Sequence, residues 1–386
     1  MSESAPIYLD CAATSPVDPR VAEAMLGCLT REGVFGNPAS LHPFGQIARA
    51  RVERARAQVA ALIHAPSPQV VWTSGATESN NLAILGTARA MAKRGRHLIS
   101  VRTEHKSVLD PCKRLEQEGF AVSFLDTDRD GLVNPHQLDQ LLRDDTVLVS
   151  VMQANNEIGV LQDIEAIGAI CQARGVPLHV DAAQSAGKID IDVRNLKCDL
   201  LSFTAHKLYG PKGVGALYFS PARRASLQPL IFGGGHERGL RSGTLPVHQI
   251  VGFGVACEMA ASSRVADAAH CERLRTRLWN GLSRIEGVLL NGHPARRVAS
   301  ILNVAFPGIE GESLLMGLTE LAVSTGSACN SESDEPSYVL RALGRDTELA
   351  QSSLRFSVGR FSTEAEVDTA IAAVTREVKR LRAAAA

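Results

Sequence analysis

Short apolar runs alternate with amphipathic stretches through the first 260 residues of the chain. We predict buried strands at residues 70–72, 97–101, 121–125, 147–152, 176–180, 200–203 and 214–219. Between several of them apolar side chains recur at helical spacing, as they do at Ile164, Ile167, Ile170 and Cys171. This alternation predicts an α/β domain whose largely parallel sheet is covered on both faces. Such sheets bind ligands at the carboxyl ends of their strands.

From about residue 261 the pattern changes. A long helix predicted over residues 268–284 precedes short apolar segments at 301–306 and 354–358 and a closing helix at 365–384. This order predicts a smaller α+β domain at the C-terminus. We therefore expect a large domain over residues 16–260 and a small domain built from residues 1–15 and 261–386.

Composition narrows the class of protein. The 386 residues are 45% hydrophobic and 21% charged, which is ordinary for a soluble globular protein. Lys and Arg number 41 and so do Asp and Glu, so the net charge does not favour binding to nucleic acid or to an anionic membrane. Neither a signal peptide nor a membrane-spanning stretch is recognisable. The eight cysteines are dispersed without a Cys-x-x-Cys pair, which argues against a zinc site and fits the cytoplasm.

Two residues at predicted strand ends suggest a cofactor. Lys207 stands where the strand at 200–203 runs into a polar loop, a position that suits a Schiff base with a carbonyl cofactor. Asp181 ends the preceding strand, and pyridoxal 5′-phosphate (PLP) enzymes need a carboxylate to keep the pyridine nitrogen protonated. Successive strands would bring both residues into one cleft. Taken singly, a surface lysine and a helix-capping aspartate are the simpler explanations.

Other polar clusters follow other strands. Residues 73–80 form a small-residue turn that opens a helix, where free backbone N–H groups and the Thr77 hydroxyl would bind a phosphate; an ordinary helix cap is the alternative. His105 follows the strand at 97–101, where its ring can stack on a pyridine and move protons, and Asn156 follows the strand at 147–152. Polar clusters at four strand ends favour one ligand site. The loop at 233–244 would complete a phosphate site or link two domains.

Two residues in the C-terminal part carry further chemistry. Cys329 lies among small and polar neighbours, which suits an accessible loop with a reactive thiol, although a plain cysteine is equally compatible. Arg355 interrupts an otherwise strand-like run, and its charge needs a partner. A substrate carboxylate bound through a bidentate fork would be such a partner.

These stretches, in this order, closely resemble the cysteine desulfurases, in particular the housekeeping branch that serves iron–sulfur cluster assembly. The resemblance runs from Tyr8 to about Asp368 and is most specific at residues 73–81, 155–160, 179–187, 202–215, 233–252 and 324–331. It implies the PLP-dependent transferase fold type I, with a mainly parallel seven-stranded sheet in the large domain. It also implies PLP as cofactor, a homodimer, and conversion of L-cysteine to L-alanine. The sulfur would pass to Cys329 as a persulfide and then to an acceptor such as a cluster scaffold or a sulfurtransferase.

The resemblance implies a role for each matching residue. Lys207 is implied as the Schiff-base lysine, Cys329 as the persulfide carrier and His105 as the residue stacked on the ring. Arg355 is implied as the anchor of the substrate carboxylate, with Asn156 touching both cofactor and substrate. The other implied cofactor contacts are Asp181 at the pyridine nitrogen, Gln184 at the ring hydroxyl, Ala76, Thr77, Thr204 and His206 at the phosphate, and Thr244 at the phosphate of the neighbouring subunit. No metal is implied in the enzyme alone, with Cys329 a candidate ligand to a shared iron–sulfur cluster.

The sequence departs from the family at three places. Cys11 replaces a residue that is often aromatic or polar, Asn330 and Glu332 add bulk and charge beside Cys329, and the chain ends before the extension with which housekeeping members dock a scaffold. We therefore expect the chemistry to follow the family more closely than scaffold docking does. A selenocysteine lyase, another fold-type-I PLP enzyme and a non-catalytic sulfur-relay module remain alternatives.

Overall fold

The computed structural model of the chain describes residues 5–325 and 335–385. Within them the strands are β1 (Ile7–Tyr8), β2 (Val70–Thr73), β3 (His97–Val101), β4 (Ala121–Leu125), β5 (Thr146–Met152), β6 (Leu178–Asp181), β7 (Leu200–Thr204), β8 (Gly215–Phe219), β9 (Leu289–Asn291), β10 (Ile301–Ala305), β11 (Leu321–Ala322), β12 (Ser324–Thr325) and β13 (Ser353–Ser357). The helices are α1 (Pro19–Leu26), α2 (Pro43–Ala61), α3 (Ala76–Ala90), α4 (Lys106–Gln117), α5 (Pro135–Leu141), α6 (Ile164–Ala173), α7 (Val247–Leu282), α8 (Gly311–Gly317), α9 (Tyr338–Ala342), α10 (Thr347–Gln351) and α11 (Glu364–Ala385).

Seven strands form the large sheet in the order β2-β8-β7-β6-β5-β3-β4. Strand β8 is antiparallel to both β2 and β7, and the remaining neighbours pair in parallel. The prediction of an α/β fold with a mainly parallel seven-stranded sheet is therefore confirmed. Each of the seven predicted strands is present, with ends shifted by at most two residues.

Apolar side chains cover both faces of the large sheet. Ile99 and Leu201 belong to a cluster that also contains residues of α2, α6 and α7, whereas Leu98 and Leu200 belong to a cluster with residues of α3 and α4. Adjacent strand residues point to opposite faces, which explains this split. Burying a leucine or isoleucine side chain stabilises the fold by about 1.5–3 kcal/mol, so the two faces hold the strand ends firmly in place.

The four strands β12-β13-β10-β9 form a second, antiparallel sheet. Its apolar cluster includes Leu278 of α7, Val304, Phe356 and Val374 of α11, and it also takes in Leu9 from the N-terminal segment. Strand β1 pairs in parallel with β11, so the N-terminus joins this C-terminal unit. The division into two domains at residues 15/16 and 260/261 stays a prediction.

Helix α7 differs from the sequence-based expectation. It begins at Val247 rather than at residue 268, and the expected boundary at residue 260 falls inside it. Gly252 and Gly254, which lower the helix propensity of this stretch, explain the missed start. A Cβ at Gly252 would lie 2.7 Å from Cγ of Met25, and one at Gly254 would lie 2.8 Å from Cα of Ala55. The two glycines therefore allow α7 to approach α1 and α2 closely. No helix in the described ranges has the length and apolar character of a membrane span.

Candidate active site

A cavity of about 530 Å³ opens at the carboxyl ends of the parallel strands. Its volume is typical of small-molecule sites, and its position is where open α/β sheets bind ligands. The structure brings ten of the residues proposed from the sequence to its lining, namely Ala76, Thr77, His105, Asn156, Asp181, Gln184, Thr204, His206, Lys207 and Arg355. They come from strand ends of the large sheet and from β13 of the small one.

The turn before α3 forms an anion cradle. Gly75 has a φ of 156°, which side-chain-bearing residues rarely adopt, and α3 begins immediately after it at Ala76. Because the first backbone N–H groups of a helix have no partner within the helix, those of Ala76 and Thr77 are suited to bind a phosphate. Strand β8 approaches this turn closely, since a Cβ at Gly215 would lie 2.6 Å from Cα of Gly75. The helix start proposed from the sequence is thus present.

Glu78 and Arg241 fasten the neighbouring loop to the cradle. Arg241 donates to Glu78 over 2.9 and 3.2 Å, and the Ser74 backbone N–H donates to the same carboxylate over 2.8 Å. Burial acts to raise the pKa of Glu78, but the hydrogen bonds from Arg241 and Ser74 bring it below its usual value. The carboxylate is therefore ionised near neutral pH and holds Arg241 beside the cradle.

The loop at 233–244 is also anchored at Glu237. Its carboxylate accepts two hydrogen bonds from Arg56, at 2.7 and 2.9 Å, and one from the backbone N–H of Trp72. Composition left open a phosphate site or a mobile interdomain linker, and these contacts, which fix the loop at Glu237, argue against a mobile linker. Thr244 is exposed and does not line the cavity of its own chain.

Lys207 lies in a short 3₁₀ turn that follows β7 directly. Its Nζ donates to the carbonyl oxygens of Ala12 and Ala13, over 2.5 and 2.6 Å. The N-terminal segment is tied to the same turn, because the Ser15 backbone N–H donates to the His206 carbonyl and the Ser15 Oγ accepts from the Tyr209 backbone N–H. The lysine is thus held at the cavity between the large sheet and the N-terminal segment.

His206 is held as a neutral ring beside the lysine. Burial, followed by the positive charges of Lys207 and Lys212, lowers the pKa of His206 to about 4. Its Nδ1 lies 3.1 Å from the Thr14 hydroxyl. A neutral imidazole offers one hydrogen-bond donor to a bound anion without adding a charge.

A chain of side chains connects Asp181 with His105. Asn80 donates to Asp181 Oδ2 over 2.8 Å and lies 2.8 Å from Ser107 Oγ, which in turn lies 2.8 Å from Nδ1 of His105. The backbone N–H of Ala183 donates to the other oxygen of Asp181 over 2.9 Å. Sequence reasoning did not single out Asn80 or Ser107. The available signal for Asn80 was its place one helical turn beyond Ala76 in the helix that the phosphate turn opens.

Two buried titratable groups support this part of the site. His179 bridges β5 and β7, because its ring nitrogens lie 2.8 Å from Ser150 Oγ and 2.9 Å from Ser202 Oγ, and burial lowers its pKa to about 3. Glu104 accepts the backbone N–H of Met152, and burial, reinforced by the charge of Asp181, raises its pKa well above the usual value. His179 is therefore neutral near pH 7, and the burial of Glu104 disfavours its charged form.

Arg355 already has partners in the structure. It donates to Asp10 over 2.7 Å and to the backbone carbonyl of Asn156 over 2.9 Å. The sequence predicted that the charge of Arg355 needs a partner, and the structure provides one in Asp10, so a substrate carboxylate is not required for that purpose. Arg355 Nε and Asn156 Oδ1 are buried without a hydrogen-bond partner among the described residues. Orphaned polar atoms at a cavity are costly unless a ligand uses them.

These residues fit PLP. The helix start at Ala76 and Thr77 suits its phosphate, the buried carboxylate of Asp181 suits a protonated pyridine nitrogen, and the Lys207 amine suits its carbonyl carbon. Gln184 lines the same cavity with an amide that can meet the ring oxygen. No group of at least three His, Cys, Asp or Glu residues suited to a metal ion occurs among the described residues. Cys329 lies outside the described residues.

Comparison with known proteins gives the family. The family model of class V aminotransferases matches residues 7–369. Over 378 residues the chain is 55% identical to cysteine desulfurase IscS of Shewanella baltica, a match that covers 98% of this chain and 94% of that protein. Cysteine desulfurase IscS of Pectobacterium atrosepticum is 56% identical with the same coverage.

Solved structures agree with these matches. A NifS-like protein superposes with a TM-score of 0.91 at 37% identity, covering 97% of this chain and all of that one. A structure of SspA in complex with cysteine gives a TM-score of 0.83 at 36% identity, covering 92% of this chain and all of that one. The fold and the cavity thus define a PLP-dependent transferase of fold type I. The chain belongs to the class V aminotransferases and, within them, to the cysteine desulfurases.

Proposed function

We propose that the protein takes sulfur from L-cysteine, releases L-alanine and carries the sulfur as a persulfide on Cys329. The observation that supports this most is that Lys207 and Asp181, at the ends of neighbouring strands, line one cavity with the cradle before α3. The choice of substrate is supported by the solved structure of SspA, which is 36% identical to this chain and was determined in complex with cysteine.

The cofactor would be held at both of its ends. Ala76, Thr77, Thr204 and His206 would hold the phosphate, and Asp181 would keep the pyridine nitrogen protonated. When bound, PLP supplies an electron sink for cleavage of the substrate Cα–H bond. Lys207 Nζ would move the proton from that carbon, since its position at the end of β7 places an amine in the cavity.

The substrate carboxylate would bind between Arg355 and Asn156. Arg355 is buried, and its Nε has no hydrogen-bond partner among the described residues. Its ion pair with Asp10 and its hydrogen bond to the Asn156 carbonyl fix the guanidinium beside the cavity. A carboxylate bound there would hold the substrate in a fixed orientation toward Lys207 and Asp181, which lowers the entropic part of the activation barrier for the reaction.

Sulfur transfer then requires one bond to break and one to form. The thiolate of Cys329 attacks the substrate sulfur, the bond between that sulfur and the substrate Cβ breaks, and the new S–S bond leaves a persulfide on Cys329. The Cβ gains a proton, so L-cysteine and the Cys329 thiol become L-alanine and the persulfide. A thiolate is needed as nucleophile, and His105, which lines the cavity, would accept the thiol proton.

We further propose a homodimer that delivers sulfur to an acceptor protein, either a cluster scaffold or a sulfurtransferase, in the cytoplasm. Large exposed apolar side chains cluster in one sequence region, at Leu26, Leu29, Phe35, Leu41, Phe44 and Ile47. Phe35 and Phe44 pack against each other there, with ring centroids 5.3 Å apart, and exposed apolar patches commonly mark a protein interface. A second copy covering it would agree with Thr244 acting at the cofactor phosphate of the neighbouring subunit. Free thiols at all seven described cysteines fit a reducing compartment.

The test is mass spectrometry of the protein after incubation with L-cysteine. One added sulfur on the peptide that contains Cys329, together with release of alanine, is the expected result. Cys329→Ser should abolish the added sulfur while the variant still binds PLP. If Cys329→Ser produced sulfide at the full rate, the persulfide step would be refuted. If the variant lost activity on L-cysteine but kept it on selenocysteine, the selenocysteine lyase alternative would be favoured.

A further inference from the structure

Lys188 belongs to a second cavity that the proposed chemistry does not use. This cavity of about 50 Å³ shares Lys207 with the larger cavity and is also lined by Cys11, Lys188, Cys271 and Arg360, among others. Lys188 follows Gln184 by four residues in a helical turn after β6. Lys188, which lines the small cavity, therefore contacts Gln184, which lines the larger one.

The side-chain amide of Gln184 has a defined partner at each end. Lys188 Nζ donates to Gln184 Oε1 over 2.8 Å, and Gln184 Nε2 donates to the carbonyl oxygen of Ala12 over 2.8 Å. A lysine ammonium can only donate and a backbone carbonyl can only accept. Exchanging the amide oxygen and nitrogen would place donor against donor and acceptor against acceptor, so both contacts together select one orientation of the amide.

This orientation decides what Gln184 offers a ligand in the larger cavity. The amide NH₂ group has two hydrogens, and Ala12 takes one of them. The second hydrogen remains for an acceptor on the ligand, while the amide oxygen is occupied by Lys188. An anionic ring oxygen is an acceptor of this kind. In the opposite orientation the amide oxygen would face that anion and repel it.

We propose that Lys188 is a positioning residue that fixes the Gln184 amide as a hydrogen-bond donor to the ring oxygen of the cofactor. The inference rests on the proposed function, because it requires PLP in the larger cavity. Lys188 does not touch the substrate or the cofactor; it acts through Gln184. The other titratable or charged groups around Lys188 are those that line the same small cavity, together with two that act on it from nearby: Cys11, Lys207, Tyr209, Arg264, Asp267, Cys271 and Arg360 in the cavity, and Arg355 and His206 nearby.

The test compares Lys188→Met with the wild type in two measurements that do not depend on turnover. The first is the pH midpoint of the change in visible absorbance of bound PLP. Loss of a donor to an anionic oxygen destabilises the deprotonated form, so the midpoint should rise by about one pH unit. The second is the dissociation constant of PLP for the apoprotein, which should increase about tenfold.

Two further variants separate positioning from packing. Lys188→Arg keeps a cationic donor and should restore most of both values. Cys271→Ala opens the same small cavity without removing a hydrogen bond to Gln184, so it should change neither value. If Cys271→Ala shifted the midpoint as much as Lys188→Met does, the effect would be one of packing and the proposal would fail.

A double-mutant cycle tests the route through Gln184. If Lys188 acts only through that amide, Lys188→Met should add almost nothing in a Gln184→Leu background, whereas independent effects would add. Additive shifts, or an unchanged midpoint in Lys188→Met alone, would overturn the proposal. Should Lys188→Met not fold, Lys188→Gln gives the same test, since a glutamine can pair with either end of the amide. A wild-type protein without any visible PLP absorbance would refute the proposed function itself.

Discussion

Two sides of the cavity are built in different ways. We define its floor as Asp181, Lys207 and Asn80. Asp181 and Lys207 lie at the ends of the neighbouring strands β6 and β7 of the large sheet, and Asn80 of α3 donates a hydrogen bond to Asp181. Its wall, defined as Arg355 with Asp10, joins two residues that lie 345 positions apart in the sequence. The floor residues belong mainly to one hydrophobically packed sheet, although Lys207 also contacts the N-terminal segment, whereas the wall forms only when that segment and β13 dock together. We therefore expect the floor to control the chemical step and the wall to control substrate binding.

The largest effect should come from Lys207→Ala. The variant lacks both the amine that would bind the cofactor carbonyl and the group that would move the Cα proton. We expect alanine formation from L-cysteine to fall by about 10⁴-fold or more, because proton transfer alone contributes about 10²–10⁴-fold. The measurement is the rate of alanine release together with the visible absorbance of bound PLP. Lys212→Ala removes another lysine of the same cavity and should keep most of the rate, and an equal loss in both variants would contradict the assignment.

Asp181→Asn should give the next largest loss. An amide cannot balance a protonated pyridine nitrogen, so the electron sink weakens while the shape of the floor is kept. We expect kcat to fall by about 10²–10³-fold, with a smaller change in KM. Steady-state kinetics with L-cysteine measure this split. Should Asp181→Asn raise KM and leave kcat intact, the carboxylate would belong to substrate binding and the contrast between floor and wall would disappear.

Substitutions in the wall should act mainly on KM. Arg355→Lys keeps the charge but loses the planar fork, so we expect KM for L-cysteine to rise by about 10–100-fold. Asp10→Asn leaves the guanidinium in place but weakens its anchor, and a smaller rise is expected. KM and kcat from the same kinetic series check both variants. A loss confined to kcat in Arg355→Lys would mean that the substrate carboxylate binds elsewhere.

The floor was accessible to sequence reasoning because it follows a local rule. Each strand of a parallel sheet ends at the same edge, so the polar residues that follow β3, β5, β6 and β7 had to come together once the strands were recognised. His105, Asn156, Asp181 and Lys207 accordingly line one cavity. The strand pattern itself was strong, because strands buried on both faces form continuous apolar runs.

The contacts that connect distant segments could not be predicted in this way. The pairing of Asp10 with Arg355 and the contact of Lys207 with Ala12 depend on how the N-terminal segment folds back, which no periodicity reveals. The orientation of Gln184 by Lys188 is local in sequence, yet it depends on side-chain geometry in a turn. The early start of α7 was hidden by two glycines whose role appears only in the packing against α1 and α2.

The smallest expected effect concerns how His179, which lies two residues before Asp181 on β6, responds to acid. His179 is fully buried between two serine hydroxyls, and its pKa is about 3, compared with about 6.5 for an unfolded histidine. The unfolded chain therefore binds one more proton than the folded chain between these values, so stability is full above pH 6.5 and falls as the pH drops toward 3. The loss from this one group approaches about 1.4 kcal/mol per pH unit well below pH 6.5 and amounts to about 1.6 kcal/mol between pH 6.5 and 5.

His179→Asn removes the titration but keeps a polar side chain between Ser150 and Ser202. The variant should be less stable at pH 7.5, because two buried hydrogen bonds change, yet its free energy of unfolding should fall less steeply between pH 6.5 and 5. Urea unfolding at pH 7.5, 6.5 and 5 gives the difference in slope independently of the starting stability. Arg355→Lys should leave that slope unchanged, since the reference pKa values of arginine and lysine both lie far above this range. Parallel slopes for wild type and His179→Asn would show that His179 accepts its proton in the folded protein, which would contradict a neutral bridge between Ser150 and Ser202.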